Sequence, residues 1–491
     1  MPAIHLNHLH FRYSLAVDVI VDADAHIGPG WTGVVGANGS GKTTLLALVA
    51  GELAPSRGRV LIDPADAVVV SCPQTVDGLS TDIERFAASL DGHDIAMRGR
   101  LDLDPADLTR WPTLSPGERK RWQIGAALSR RPDVLLLDEP TNHLDGAGRD
   151  LLIGELDRFR GVGLVVSHDR SLLEGLTNRT LRLDHGRVTL WNGAYEAAKA
   201  AWTAEEAEQA AERERLKEEA RRAQRFLVEQ RRINEQKRAA FRRKNNTSSF
   251  KDIDARSAAR QAKHREGEKA AGKLLSTAAK RAERARERLA AVEVRGEVGR
   301  DLFIDFAPSP KRILTTHTGP LYAGGHLVAE HVAITVERSD RIWLRGPNGI
   351  GKTTLLRSLV ANAGIAAERM LVLPQELTPE MVAESMGSVR SLGRGQRGRV
   401  LAVVAALGVD PDVLLASNSP SPGEARKVAM ALGLGRQAWM VLLDEPTNHL
   451  DLPSVERLEA ALASYPGAVV VATHDDAFAE AIDLRPFDLG D

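Results

Sequence analysis

The sequence predicts an α/β fold built twice, with a long antiparallel helical hairpin between the two copies. Three observations carry this prediction. The ten residues Leu136-Leu137-Asp138-Glu139-Pro140-Thr141-Asn142-His143-Leu144-Asp145 recur unchanged at 442–451. Other landmarks keep the same offset of 306 residues, Ser421 against Ser115 and His474 against His168. Between the copies, from 195 to 244, an Ala/Glu/Arg/Gln-rich stretch runs without Pro or Gly, which is the composition of a helix.

In the first copy, residues 1–192, the apolar runs at 68–70, 134–137 and 163–166 are short and β-branched or leucine-rich, as buried parallel strands are. Helical segments separate them, which makes the architecture α/β. The same pattern returns in residues 301–491. In the middle, residues 193–300, some fifty helical residues reach roughly 75 Å at ~1.5 Å per residue. The return segment carries a seam at Ala271, Leu275, Ala278, Ala282, Ala285, Leu289 and Val292, and the outgoing one answers with Leu216, Ala220, Ala223 and Leu227. Alternating steps of four and three indicate paired helices, and alanine allows close approach. Asn245-Asn246-Thr247-Ser248-Ser249 breaks the period and reads as the tip.

The 491 residues suffice for two ordinary domains plus a connector. The single cysteine, Cys72, excludes a disulfide framework and suits a reducing compartment. The start Met1-Pro2-Ala3 shows no signal peptide, and the longest apolar stretch, at 400–409, is too short for a bilayer. The expected location is cytoplasmic. The formal net charge of −1 hides an asymmetry, because residues 201–300 hold 27 Lys/Arg against 17 Asp/Glu and residues 221–265 hold 15 against 4. A solvated helical face accounts for such a run taken alone. Placed between two acidic halves, it favours a polyanionic partner.

Each half carries a phosphate-loop pattern. The first is Gly36-Ala37-Asn38-Gly39-Ser40-Gly41-Lys42-Thr43-Thr44. The second is Gly346-Pro347-Asn348-Gly349-Ile350-Gly351-Lys352-Thr353-Thr354. Glycines let backbone N–H groups curl toward phosphate oxygens at a helix N-terminus. The lysine neutralises the β/γ-phosphates, and the hydroxyl of Thr43 or Thr353 reaches Mg²⁺. Asp138 and Asp444 end apolar strands, where a carboxylate meets the metal. Glu139 and Glu445 follow, suited to orient and polarise the attacking water.

Leu114-Ser115-Pro116-Gly117-Glu118 and Ser421-Pro422-Gly423-Glu424 resemble the signature of ATP-binding-cassette ATPases. The resemblance implies two ABC-type ATPase (P-loop NTPase) domains, with ATP and Mg²⁺ as ligands. Each ATP would be sandwiched between the phosphate loop of one half and Ser115 with Gly117, or Ser421 with Gly423, of the other. The family's glutamine loop falls on Gln74 and Gln375, near Mg²⁺, and its switch histidine on His168 and His474. Tyr13 and Tyr322 stand where the family stacks adenine, though strand packing explains them equally well. Pro420 before the second signature, and Asp476 where the first half has Arg170, put the symmetry of the two sites in doubt.

Two complete cassettes joined by a basic hairpin, with the repeated Asp-Glu-Pro-Thr-Asn-His-Leu-Asp, resemble the ABC-F family of translation factors. Chromosome-maintenance ATPases differ, since their coil separates the phosphate loop from the signature. A DNA-maintenance ATPase stays as the alternative, and a soluble transporter subunit as a distant third. The resemblance implies a monomer whose two cassettes pair internally and a ribosomal partner, with contacts to rRNA and P-site tRNA. It further implies that the hairpin enters the E site toward the peptidyl-transferase centre, and that hydrolysis releases it. At the tip, 241–256, Arg242, Arg243, Lys244, Lys251, Arg256 and, just beyond, Arg260 suit phosphate contacts. Phe241 or Phe250 suits base stacking, or simply packs the helices together. Only 41 residues separate Gln74 from Ser115, and seventeen follow His474. That compactness resembles members that protect ribosomes from antibiotics more than general factors for stalled ribosomes.

Overall fold

The structure is a computed structural model. It describes all residues except 15, 16, 77, 143, 247–255, 291–302, 304, 305, 324, 325, 348, 417–419, 490 and 491. For 14, 17, 241–246, 256–268, 289, 290, 323, 413 and 416 it describes backbone alone.

In the first half, six strands form one sheet in the order Val69–Cys72, Val134–Asp138, Val162–Val166, Gly30–Gly36, Arg179–Asp184, Arg187–Asn192. The first five are parallel and the last is antiparallel to its neighbour. The second half repeats the five parallel strands in equivalent order, Met370–Leu373, Met440–Asp444, Ala468–Ala472, Arg341–Arg345, Arg485–Asp488. The apolar runs explain their central place. Leu135, Leu136 and Leu137 are wholly buried, as are Val469, Val470 and Val471. At about 1.5–3 kcal/mol for each such side chain, these strands anchor the sheets. Because they are parallel, their C-terminal ends share one edge. Asp138 and Asp444 are carried to that edge as the last residues of their strands.

The alternating pattern did not announce a second, antiparallel layer. Ala3–Ser14 pairs with Val17–Ile27 and Arg57–Asp63, and in the second half Ile313–Ala323 pairs with His326–Glu337. One face of each such sheet is wet, so Ile4 and Leu6 are buried while the intervening His5 is half-buried. Such a strand lacks the continuous apolar run that marks the parallel ones.

By packing, the chain forms two compact units, Met1–Ala198 with Val298–Asp491, and Lys199–Glu297. Both sheets therefore lie in one unit. The second unit is helical. Helix Tyr195–Asn246 enters it and helix Arg256–Ala290 returns, with Ala220, Ala223 and Leu227 packed on Ala278, Ala282 and Ala285. The described part of the expected seam thus forms, while Val292 and the side chain of Leu289 lie outside the described residues. Asn245 and Asn246 are still helical rather than part of a turn, since helix ends commonly run a residue or two past the last periodic position. The tip residues Phe250 and Lys251 lie outside the described residues, as do the side chains of Phe241, Arg242, Arg243, Lys244, Arg256 and Arg260. No helix among the described residues is long and apolar enough to cross a membrane.

Candidate nucleotide sites between the two halves

Each phosphate loop joins a parallel strand to a helix, Lys42–Val49 in the first half and Lys352–Ala361 in the second. The N-caps Gly41 and Gly351 sit at φ 101° and 100°, a left-handed conformation that a side chain rarely adopts. A Cβ on Gly41 would also lie 2.6 Å from Val19 Cγ1. The loop residue is therefore glycine on two grounds. The Ser40 hydroxyl is buried in its loop with no hydrogen-bond partner among the described residues, a donor aimed at nothing the protein supplies. Together with helix-start amides, such a cradle fits an anionic phosphate.

The residues expected at the metal converge in both halves. Thr43 Oγ1 donates to Asp138 Oδ2 at 2.7 Å, and Thr353 Oγ1 donates to Asp444 Oδ2 at 2.7 Å. A hydroxyl and a carboxylate oxygen side by side, with Gln74 or Gln375 lining the same cavity, make an all-oxygen set suited to Mg²⁺. The lysines fold back on their own loops. Lys42 Nζ donates to the carbonyls of Gly36 and Ala37 at 2.9 and 3.1 Å, and Lys352 Nζ to those of Gly346 and Pro347 at 2.6 and 3.2 Å.

Glu139 and Glu445 occupy strained backbone, at φ 48° and 45°. Non-glycine residues enter this region rarely, and the surrounding sheet edge must hold them there. Burial pushes the Glu139 carboxyl up to about 8 and that of Glu445 up to about 7. Burial likewise lowers His168 to about 3 and His474 to about 4. His168 Nε2 lies 3.1 Å from Glu139 Oε1, and the His168 backbone amide donates to Glu139 Oε2 at 3.3 Å. The second half differs. His474 Nε2 lies 3.0 Å from Lys352 Nζ and 3.7 Å from Glu445 Oε1.

Ser115 and Ser421 begin the helices Pro116–Ser129 and Pro422–Gly435, and both are tied into capping boxes with Glu118 and Glu424. Their hydroxyls thus have a structural role whatever else they contact. The two halves meet here. Asp451 Oδ2 accepts the Asn38 amide at 2.6 Å, and Asn38 Nδ2 donates to the His449 carbonyl at 3.1 Å. A Cβ on Gly423 would stand 2.8 Å from that same carbonyl and 3.6 Å from Asn38 Nδ2. The second signature therefore lies against the first phosphate loop.

A cavity of about 1230 Å³ runs along this seam, lined by Lys42, Thr43, Thr44 and Glu139 with Ser421 and Gly423, and by Gly349, Lys352, Thr353, Thr354 and Glu445 with Ser115. Gly39, Gly41, Gly351, Asp138, Asp444, His168, His474 and Tyr13 line it as well. Gly36, Ser40, Gly117, Gly346, Ile350 and Tyr322 are not in its lining, and Asn348 lies outside the described residues. Tyr13 stays largely exposed, with its hydroxyl 3.1 Å from Thr44 Oγ1.

Two functional residues escaped the sequence reading. Lys120 is buried and its ammonium donates to the carbonyls of Pro73 and Gln74, at 2.6 and 3.1 Å, and more weakly to that of Asp138 at 3.4 Å. In the second half Arg426 does the same work with four bonds, to Pro374, Gln375, Asp444 and Glu445 at 3.3, 2.7, 3.2 and 2.7 Å. A buried cation thus ties each glutamine loop to the end of the acidic strand. The available signal was a basic residue five positions after each signature serine, again 306 residues apart.

Two parallel-sheet domains with phosphate loops, acidic strand ends and facing signatures define an ATP-binding-cassette ATPase that carries both cassettes in one chain. Residues 22–142 and 329–448 each match the family described as ABC transporter. TlrC of Streptomyces fradiae, a tylosin resistance ATP-binding protein, is 30% identical over 93% of this chain and 92% of its own length. VmlR of Bacillus subtilis, a ribosome protection protein, is 28% identical over 91% of this chain and 79% of its own. A solved structure described as RNase-L Inhibitor shares the fold, with a TM-score of 0.60 at 19% identity over 98% of this chain and 87% of that one. The chain belongs to the ABC-F family, and it is an ATP hydrolase.

Proposed function

We propose that the chain is a ribosome-binding ATPase of the cytoplasm, in which cassettes at 1–192 and 301–491 clamp two ATP molecules and the segment 193–300 reaches ribosomal RNA and the P-site tRNA from the E site. The observation that carries the reading is the union of two complete cassettes with the cationic run at 221–265, 15 basic residues against 4 acidic. The likeness to VmlR and TlrC supports protection from a ribosome-targeting antibiotic over general rescue of stalled ribosomes.

In this reading Lys42 and Lys352 leave their loop carbonyls for the β/γ-phosphates, and the glycine-rich amides cradle the same oxygens. Ser421 with Gly423 closes on the nucleotide at Lys42, and Ser115 with Gly117 on the one at Lys352. Thr43, Asp138 and Gln74, and likewise Thr353, Asp444 and Gln375, would hold Mg²⁺, which supplies charge neutralisation across the phosphates. Glu139 and Glu445 orient the attacking water and accept its proton. A Mg²⁺ charge beside Asp138 and Asp444 would favour the ionised carboxylate that this task needs. His168 and His474, kept neutral by burial, offer Nε2 for hydrogen bonding at the γ-phosphate. Tyr13 stacks on adenine at the cavity mouth.

ATP need favour the closed form by only a few kcal/mol, which differential binding at two shared sites supplies. Closure fixes the hairpin for ribosome binding, and hydrolysis releases it. The test is the double variant Glu139→Gln, Glu445→Gln, which should hold ATP and co-sediment with ribosomes far better than the parent chain. Equal co-sedimentation would end the reading, and capture of plasmid DNA instead would favour a DNA-maintenance ATPase.

A further inference from the structure

The seam between the cassettes carries an arginine–glutamate latch whose repeat-related positions cannot form it. Arg170 starts the helix Arg170–Leu176, two residues after His168. Its guanidinium donates from Nη2 to Glu459 Oε2 at 3.1 Å, and Nη1 lies 2.8 Å from Oε1 as an ion-pair contact. Glu456 Oε1 lies 3.9 Å from Nη2 and accepts the Tyr195 hydroxyl at 2.6 Å. The pair is shielded, with the Arg170 and Glu459 side chains 10% and 12% exposed. A hydrogen-bonded charge pair in such surroundings costs more to break than a surface one, because truncating one partner leaves the other shielded and unpaired.

Its position gives it a consequence. Glu456 and Glu459 lie on the helix Leu452–Ala463, whose N-cap is Asp451. That same Asp451 holds the Asn38 amide of the first phosphate loop. Arg170 therefore secures the rigid element whose end touches the loop around Lys42. Tyr195, which also reaches Glu456, is the first residue of the helix Tyr195–Asn246.

The repeat-related positions on the other side cannot form such a pair. The counterpart of Arg170 is Asp476, that of Glu459 is Ile153, and that of Glu456 is Asp150. An aspartate opposite an isoleucine forms no ion pair. Toward the second switch loop, Arg149 Nη1 donates to the His474 carbonyl at 3.3 Å. We propose that Arg170, through Glu459, is a positioning residue for the nucleotide at Lys42, which makes that side the slow one to open. The proposal rests on the nucleotide-site reading above. Without the guanidinium, Glu459 would lose its hydrogen-bonded cation while Glu456 and Asp475 stay close to it, and Asp475 would keep Arg149 alone.

The test measures release of a fluorescent, non-hydrolysable ATP analogue with magnesium from the full chain. Lys352→Ala leaves only the Lys42 site to report, and Lys42→Ala only the Lys352 site. Arg170→Ala should speed release from the Lys42 site by on the order of tenfold or more, because truncating a shielded charge pair acts on off-rates. Release from the Lys352 site should stay within about twofold on the same scale. Glu459→Gln, which keeps the shape and removes the charge, should reproduce the effect should Arg170→Ala fold poorly. The swap Arg170→Glu with Glu459→Arg should recover most of the loss, which a merely structural defect would not. Equal acceleration at both sites, or unchanged release in both single variants, overturns the proposal alone. Failure of the unsubstituted Lys42 site to bind the analogue overturns the nucleotide-site reading and the latch with it.

Discussion

Replacing Glu139 by Gln should abolish hydrolysis at the Lys42 site and, in the nucleotide- and magnesium-free protein, raise stability. Glu139 is a buried carboxyl whose acid constant moves from 4.5 to about 8 on folding. A raised carboxyl binds more protons folded than unfolded between those two values, so its contribution to stability falls as pH rises through that window. At about 1.4 kcal/mol per unit of proton affinity, the penalty grows by roughly 2–3 kcal/mol between pH ~5.5 and ~7.5. Glutamine has the same shape and no proton to lose, so it escapes the penalty. For a cassette of this size, about 2–4 °C per kcal/mol converts this to a difference of roughly 5–10 °C. The measurement is thermal unfolding of both proteins at the two pH values. The variant should melt higher, and its advantage should widen at the upper pH. An advantage that is absent, or that narrows as pH rises, would refute the claim that burial holds this carboxyl neutral. Glu445→Gln should behave alike with a smaller pH dependence, because its carboxyl rises only to about 7.

Gly423→Ala places a methyl group 2.8 Å from a backbone carbonyl beside Asn38, so closure over Lys42 suffers. Steady-state ATPase assays should show kcat reduced by roughly tenfold or more, a transition-state loss, with the circular dichroism spectrum unchanged. Arg426→Met removes four hydrogen bonds, about 6 kcal/mol gross at ~1.5 each, against relief of a buried guanidinium that burial has pushed down to about 10. The net loss of about 2–3 kcal/mol should loosen Gln375, and the Mg²⁺ concentration for half-maximal ATPase should rise. Replacing Arg242, Arg243 and Lys244 together by Ala should weaken ribosome co-sedimentation and flatten its dependence on salt by up to about three log units per log salt, leaving ATPase without ribosomes unaltered. An unchanged salt slope would return the basic run to a solvated helical face.

Much of the site was legible because its chemistry is local. A phosphate loop needs glycines at fixed places, since only glycine accepts the positive φ at 41 and 351. An acidic residue at the end of an apolar run must emerge at a sheet edge, which placed Asp138 and Asp444 correctly. The long helix and its alanine seam were legible for the same reason, a repeat distance set by the helix itself. Lys120 and Arg426 were not, because a basic residue in a helix pattern normally reads as exposed. Their burial becomes evident only once the glutamine loop and strand end lie over them. The antiparallel sheets escaped because half-wet strands carry a weaker pattern than buried ones.

The sequence by itself determined that there are two cassettes, where each phosphate loop and acidic pair lies, and that a cationic helical segment stands between them. These follow from short-range backbone geometry and from periodicity, which a linear pattern contains in full. The tertiary structure alone decided that Asn38 meets Asp451 across 413 positions, that His474 turns to Lys352 while His168 faces Glu139, and that Arg170 pairs with Glu459 across the seam. Such contacts join surfaces brought together by packing, and no local spacing encodes which surface faces which.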